Sequence, residues 1–255
     1  MKRALLFLSF LIVLPALAAI QPGTLLSSGP TQSKRIALTF DDGPGPNTGK
    51  FLDLLNQYGV KATFFVLGDQ VKARPAMAKR IIQEGHEIGN HTMSHINYVK
   101  RYRYRLEQNG GEAGREKAVA AVKADLIADM NESRRVIEKT AGVKLKILRM
   151  PHGVDKPWVK EAAKEAGFIL VNWSYGADWT SPPSPKDGFG GAGPPPDPIE
   201  SLKESYVKAL KPGTIYLVHD GWPKSEKSLA VTEAILKAAK EQGYEIVTVG
   251  ELLGL

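Results

Sequence analysis

The 255-residue chain contains no cysteine. That absence excludes disulfides and thiolate metal sites, so any metal must rest on His, Asp or Glu, and stability must come from packing. The chain also lacks a hydrophobic run long enough to span a bilayer. Its longest, Ala4 to Leu14, stops at Pro15 and falls short of the roughly 20 apolar residues a span needs. With Lys2 and Arg3 before it and the small-residue site Ala16-Leu17-Ala18 after it, this run has the layout of a signal peptide over residues 1–18. A secreted or periplasmic protein without a stable membrane anchor is therefore expected. Internal repeats and domain-splitting linkers are missing too. A hydrophobic share of 43% with 24% charged residues rules out a collagen-like or low-complexity chain. One domain is expected over residues 35–255, after a lead-in segment at 19–34.

The net charge is +7, of which Lys2 and Arg3 in the leader supply two units. The densest basic cluster, Tyr98 to Arg105, interleaves Lys100, Arg101, Arg103 and Arg105 with Tyr98, Tyr102 and Tyr104. Such a cluster fits nucleic acid in principle. An exported protein rarely meets nucleic acid, however, whereas tyrosine faces suit sugar rings and cations suit anionic envelope polymers. No nucleic-acid partner is expected.

Short β-branched or aromatic runs alternate with amphipathic stretches, the pattern of strand-helix units around a parallel sheet. Strands are expected at Arg35 to Phe40, Ala62 to Val66, His86 to Gly89, Lys146 to Arg149, Phe168 to Trp173, Thr214 to Val218 and Glu245 to Thr248. Helical periodicity covers Gly49 to Tyr58, the stretch from Pro75 to Gly85, Glu116 to Thr140, Lys156 to Ala166, Ile199 to Leu210 and Lys227 to Gln242. Two long connections, Ile96 to Arg115 and Gly176 to Pro198, are expected to be loops that shape a groove.

In a parallel barrel, chemistry gathers where the strands end. Polar residues follow five expected strands here: Asp41 and Asp42, His91 and His95, Arg149 and His152, Asp178 and Trp179, His219 and Asp220. Two adjacent carboxylates raise each other's proton affinity unless a cation separates their roles. The natural division puts one on a metal and leaves the other to take a proton. His91 and His95 stand four apart, a spacing that on a helical turn turns both rings to one point. Two imidazoles and a carboxylate suit catalytic zinc, and non-haem iron as well, so the ligand set alone does not choose hydrolysis. His219, closing an apolar run, is placed to act as an acid. His86, early in its strand, reads as structural.

The segments Thr39-Phe40-Asp41-Asp42-Gly43-Pro44, Asn90-His91-Thr92-Met93-Ser94-His95, Arg149-Met150-Pro151-His152-Gly153, Asp178-Trp179 and Leu217-Val218-His219-Asp220 resemble, in order, the five motifs of the NodB-type polysaccharide deacetylases, carbohydrate esterase family four. The resemblance runs from about Arg35 to Leu253. It implies a distorted seven-stranded (β/α) barrel, Asp41 as general base, and Asp42, His91 and His95 as ligands of a divalent metal, zinc first and cobalt or nickel next. It further implies that Arg149 orients the base, Asp178 tunes the acid His219, the backbone N–H of His152 meets a developing oxyanion, and Trp179 forms cleft wall. The chain departs from the family at His152, where tyrosine is usual, and at Tyr175, where another aspartate is usual. The implied reaction removes acetyl groups from an N-acetylated cell-wall polysaccharide, peptidoglycan before chitin-like glycans. An O-acetyl esterase acting on xylan and a glycan-binding protein without turnover are the competing expectations.

Overall fold

The structure is a computed structural model that describes residues 19–178 and 199–255. The expected leader, Trp179 and most of the Gly176 to Pro198 connection lie outside the described residues. Among those described, the strands are β1 (Leu25–Leu26), β2 (Arg35–Asp41), β3 (Thr63–Val66), β4 (Glu87–Asn90), β5 (Ile147–Leu148), β6 (Ile169–Val171), β7 (Ile215–His219) and β8 (Glu245–Val247). All pair in parallel in the order β1-β6-β5-β4-β3-β2-β7, and β8 joins the first half of β2. Isolated bridges from Ser28 to Thr214 and from Tyr175 to Tyr216 partly draw the β1-β6 edge toward β7, giving a distorted barrel. The seven expected strands are all present. The eighth, β1, lies in the stretch read from sequence as a lead-in. Two leucines carry too little pattern to mark a strand, and pairing with Leu170 and Val171 makes them one.

Alternation within the strands sorts side chains into two layers. Ile36, Leu38 and Phe40, Phe64 and Val66, Leu148, Leu170, Tyr216 and Val218 face outward into the cluster shared with the helices. Ala37, Phe65, Ile147, Ile169, Val171 and Ile215 fill the barrel interior. Counting on by twos along β2 and β7, and from Ile147 just past the end of β5, places Asp41, Arg149 and His219 on the interior series. The period of two that builds the core thus also delivers three charged groups to one end of the barrel.

The helices are α1 (Thr48–Tyr58), α2 (Gly68–Ala73), α3 (Pro75–Gln83), α4 (Tyr98–Gln108), α5 (Arg115–Ala141), α6 (Pro157–Glu165), α7 (Ile199–Lys208), α8 (Glu226–Glu241) and α9 (Val249–Leu253). The long α5 buries Ala118, Val122, Leu126, Met130, Ser133 and Ile137, a stripe at intervals of four and three, and ends on Gly142 in the left-handed region, where glycine is unstrained. Phe51 of α1 packs edge-on against Phe40, ring centroids 5.2 Å apart. Both are fully buried. Phe51→Ala is expected to destabilise the fold by about 3–5 kcal/mol through lost transfer energy and a residual cavity, measurable as a lower denaturation midpoint in urea.

The expected loop Ile96 to Arg115 is instead mostly helical. Asn97 caps α4 by accepting from the Lys100 backbone N–H at 3.0 Å, and a 3₁₀ turn at Gly111–Gly114 leads into α5. Its charge density obscured the four-residue spacing of Tyr98, Tyr102 and Leu106. Part of the basic cluster is tied down, while Tyr104 stays exposed. Arg101 and Arg105 both pair with Asp125, and buried Tyr98 donates to Asp129 at 2.7 Å.

Candidate active site and metal centre

At the carboxyl end of β2, Asp41 and Asp42 take different directions because Asp42 sits in the left-handed region at φ 71°. Asp41 Oδ1 accepts from Arg149 Nη1 at 2.7 Å. The guanidinium is fully buried. It also donates to Thr39 Oγ1, Val171 O and Asn172 O, and lies 4.1 Å over the Phe65 ring. Burial pushes the Arg149 pKa down, and Asp41 works against that push. Asp41 is thus held by one oxygen. Its Oδ2 lies 3.7 Å from His91 Nε2.

Asp42, His91 and His95 converge, their ligand atoms all within 4.8 Å of one another. Asp42 Oδ1 is 3.5 Å from His91 Nε2 and 3.4 Å from His95 Nε2. The donor chemistry suits a cation. His91 Nδ1 donates to the Arg149 carbonyl at 2.8 Å, which fixes the tautomer with its Nε2 lone pair toward the cluster. Asp42 Oδ1 is buried and has no hydrogen-bond donor, a costly state for a carboxylate oxygen unless a cation meets it. Atoms about 3.4 Å apart match ligands that each lie about 2 Å from a shared ion. Burial raises the Asp42 carboxyl's proton affinity, but the facing His91 ring, then His95 and His219, hold it well below the usual carboxylate range. Burial and the neighbouring His91 push His95 down to about 4, a neutral imidazole ready to ligate.

The two histidines meet, but not on a helical turn as their spacing implied. Residues 91–97 form a loop in which Thr92 and His95 adopt positive φ. The loop is held from below. Asn90 Oδ1 accepts from the Thr92 N–H, Ser133 of α5 donates to Asn90 Oδ1 and Thr92 O, and Asp129 accepts from the Met93 N–H. Positive φ at Thr92 and His95 is strain that these contacts sustain. Nothing in local sequence marks Ser133 or Asp129 as parts of the site, because they act from 41 and 36 residues away.

Across the mouth, His219 Nδ1 donates to Asp178 Oδ1 at 2.8 Å. Asp178 Oδ2 accepts from the His219 backbone N–H and from the Ser228 hydroxyl. Burial alone would lower the His219 pKa, yet Asp178, reinforced by Asp41 and Asp42, lifts it to about 9. His152 is exposed at φ 59°, its ring 4.7 Å edge-on from that of His95, beside the convergent cluster but outside it. Tyr175, in place of the family's aspartate, packs against Tyr206 and Tyr216. Trp179 lies outside the described residues. His86 matches its structural reading: it is buried, its Nδ1 accepts from the Ala62 N–H, and burial pushes it down to about 4. Asp220 sits fully buried behind the aspartate turn, accepting from the Thr48 hydroxyl, and burial pushes it up to about 7. Gly43 touches it so closely that a Cβ there would lie 2.5 Å from its carboxylate.

A sequence model of the polysaccharide deacetylase family matches residues 28–171. The chain belongs to the polysaccharide deacetylase family. It is 37% identical over 228 residues to a peptidoglycan-N-acetylglucosamine deacetylase of Bacillus cereus, spanning 88% of this chain and 90% of that one. A chitooligosaccharide deacetylase of Sinorhizobium fredii is 32% identical over 206 residues, 80% of this chain and 79% of that one. The fold matches the crystal structure of a peptidoglycan N-acetylglucosamine deacetylase with TM-score 0.70 at 29% identity, over 91% of this chain and 93% of that one. This polysaccharide deacetylase is accordingly a hydrolase, and Asp42, His91 and His95 form a group in it that could hold a metal ion.

Proposed function

We propose that the protein is an exported, zinc-dependent N-deacetylase of an acetylated cell-wall polysaccharide, acting on peptidoglycan first and chitin-like glycans second. One observation carries this reading. The Asp42, His91 and His95 cluster stands beside a carboxylate, Asp41, that is held by one oxygen, and the same rim carries the His219-Asp178 pair. Similarity to a peptidoglycan-N-acetylglucosamine deacetylase and a chitooligosaccharide deacetylase supports the substrate class. The leader-like residues 1–18 support export, and among the described residues no helix is long and apolar enough to cross a membrane.

A divalent cation at Asp42, His91 and His95, zinc before cobalt or nickel, would supply Lewis-acid polarisation of the acetyl carbonyl and a lowered pKa for water, from about 15.7 toward ~7. The chain's own groups do the rest. Arg149 holds Asp41 Oδ1, so Oδ2 is left to accept a proton from the attacking water. The family resemblance assigns the His152 backbone N–H, on a turn at φ 59°, to donate to the oxyanion. His219, kept cationic by Asp178, gives its proton to the departing sugar amine, and acetate is released.

Acetate release from peptidoglycan fragments or N-acetylglucosamine oligomers tests the proposal. Dialysis against a chelator is expected to lower the rate at least ~100-fold, with recovery on adding zinc or cobalt. Undiminished turnover in excess chelator would remove the metal from the reading. Faster release from matched O-acetyl esters of xylan would reassign the substrate.

A further inference from the structure

We propose that Trp222 is a positioning residue that aims Asp42 at the metal and seats the acid His219. Asp42 presents Oδ1 to the two histidines, while its Oδ2 accepts from the Trp222 Nε1–H at 2.8 Å. An indole N–H only donates, so it cannot compete as a ligand. It ties off one carboxylate oxygen and leaves the other for a cation. The same indole stacks on the His219 imidazole, centroids 4.7 Å apart and planes 18° from parallel. One side chain therefore touches both the ligand and the acid.

The backbone fixes that placement. The Gly221 N–H donates to the Asp41 carbonyl at 3.3 Å, and Gly221 packs so tightly on Asp42 that a Cβ there would clash with the Asp42 carbonyl oxygen. Trp222 is carried against Asp42 by this contact, 180 residues away in sequence. A tryptophan serving only as cleft wall would need no donor aimed at a ligand oxygen.

This inference rests on the metal reading above, and two variants test it. Trp222→Phe removes the N–H but keeps a ring over His219; Trp222→Leu removes both. Zinc affinity is measured by competition with a chromophoric chelator, folding by thermal melts, and kcat at saturating zinc. Loss of a hydrogen bond to a ligand typically weakens metal binding 10–100-fold, and Trp222→Phe is expected to show that loss with an unshifted melting temperature at equal zinc occupancy. Trp222→Leu is expected to lose kcat as well, by roughly tenfold or more even when zinc is saturating, because small misplacements of a reacting group cost up to about 100-fold. Equal zinc affinities in wild type and Trp222→Phe would overturn this inference alone. Failure of the wild type to bind zinc, cobalt or nickel would overturn the metal reading and this inference with it.

Discussion

Asp41→Asn is expected to lower kcat about 1,000-fold, the middle of the range for losing a general base, while zinc affinity stays within a few-fold of wild type. The amide oxygen can still accept from Arg149 Nη1 in the place of Oδ1. The amide nitrogen then occupies the place of Oδ2, 3.7 Å from His91 Nε2, where it cannot accept a proton. None of the three proposed ligands is altered. The substitution also removes the only carboxylate paired with the fully buried Arg149 among the described residues. Breaking a buried pair costs about 3–5 kcal/mol, tempered here by the carbonyls and hydroxyl that still accept from the guanidinium. Rates are therefore compared well below the variant's melting temperature, beside a zinc titration. Wild-type turnover in Asp41→Asn would take the base role from Asp41, and loss of zinc binding would make it a ligand instead.

What was legible in the sequence was local. Polar residues placed directly after apolar runs predict that Asp41, Arg149 and His219 share one rim, and they do. Helical spacing found α1, α3, α5, α6, α7 and α8. What stayed hidden depends on contacts between distant segments. Leu25–Leu26 becomes a strand only by pairing with β6. The His91 to His95 loop is shaped by Ser133 and Asp129 on α5. Thr39 reads as an ordinary strand residue until Arg149 arrives to donate to its hydroxyl. Trp222 follows a motif without belonging to it, and only the fold brings its N–H to Asp42. In α4 the period was present, but charge hid it.

Asp178→Asn is expected to produce the second large loss, about 1,000-fold or more in kcat at neutral pH, since the matching change in a Ser-His-Asp triad costs about 10⁴-fold. The reason is a count of donors. Asp178 Oδ2 accepts from the His219 backbone N–H and the Ser228 hydroxyl, and Oδ1 accepts from Nδ1–H. Asparagine offers a single acceptor oxygen. Because the backbone N–H cannot turn away, the amide oxygen takes the Oδ2 place and the amide NH₂ faces Nδ1. His219 must then present a lone pair there, as a neutral ring. In the wild type, burial works against the imidazolium and Asp178 outweighs it, so the pKa stands at about 9 and turnover that needs the acid form falls as pH rises through that value. In the variant Asp178 no longer opposes burial, only the more weakly acting Asp41 and Asp42 do, and the alkaline limb moves to lower pH. Stability follows the same sign. A pKa raised by folding contributes most below pH 6.5 and is lost as pH passes about 9, so the gap in melting temperature between wild type and variant narrows over that window. A pH–rate profile with an unmoved alkaline limb in Asp178→Asn would mean that His219 is not the acid, because the His219 imidazole is the titrating group whose proton Asp178 Oδ1 accepts.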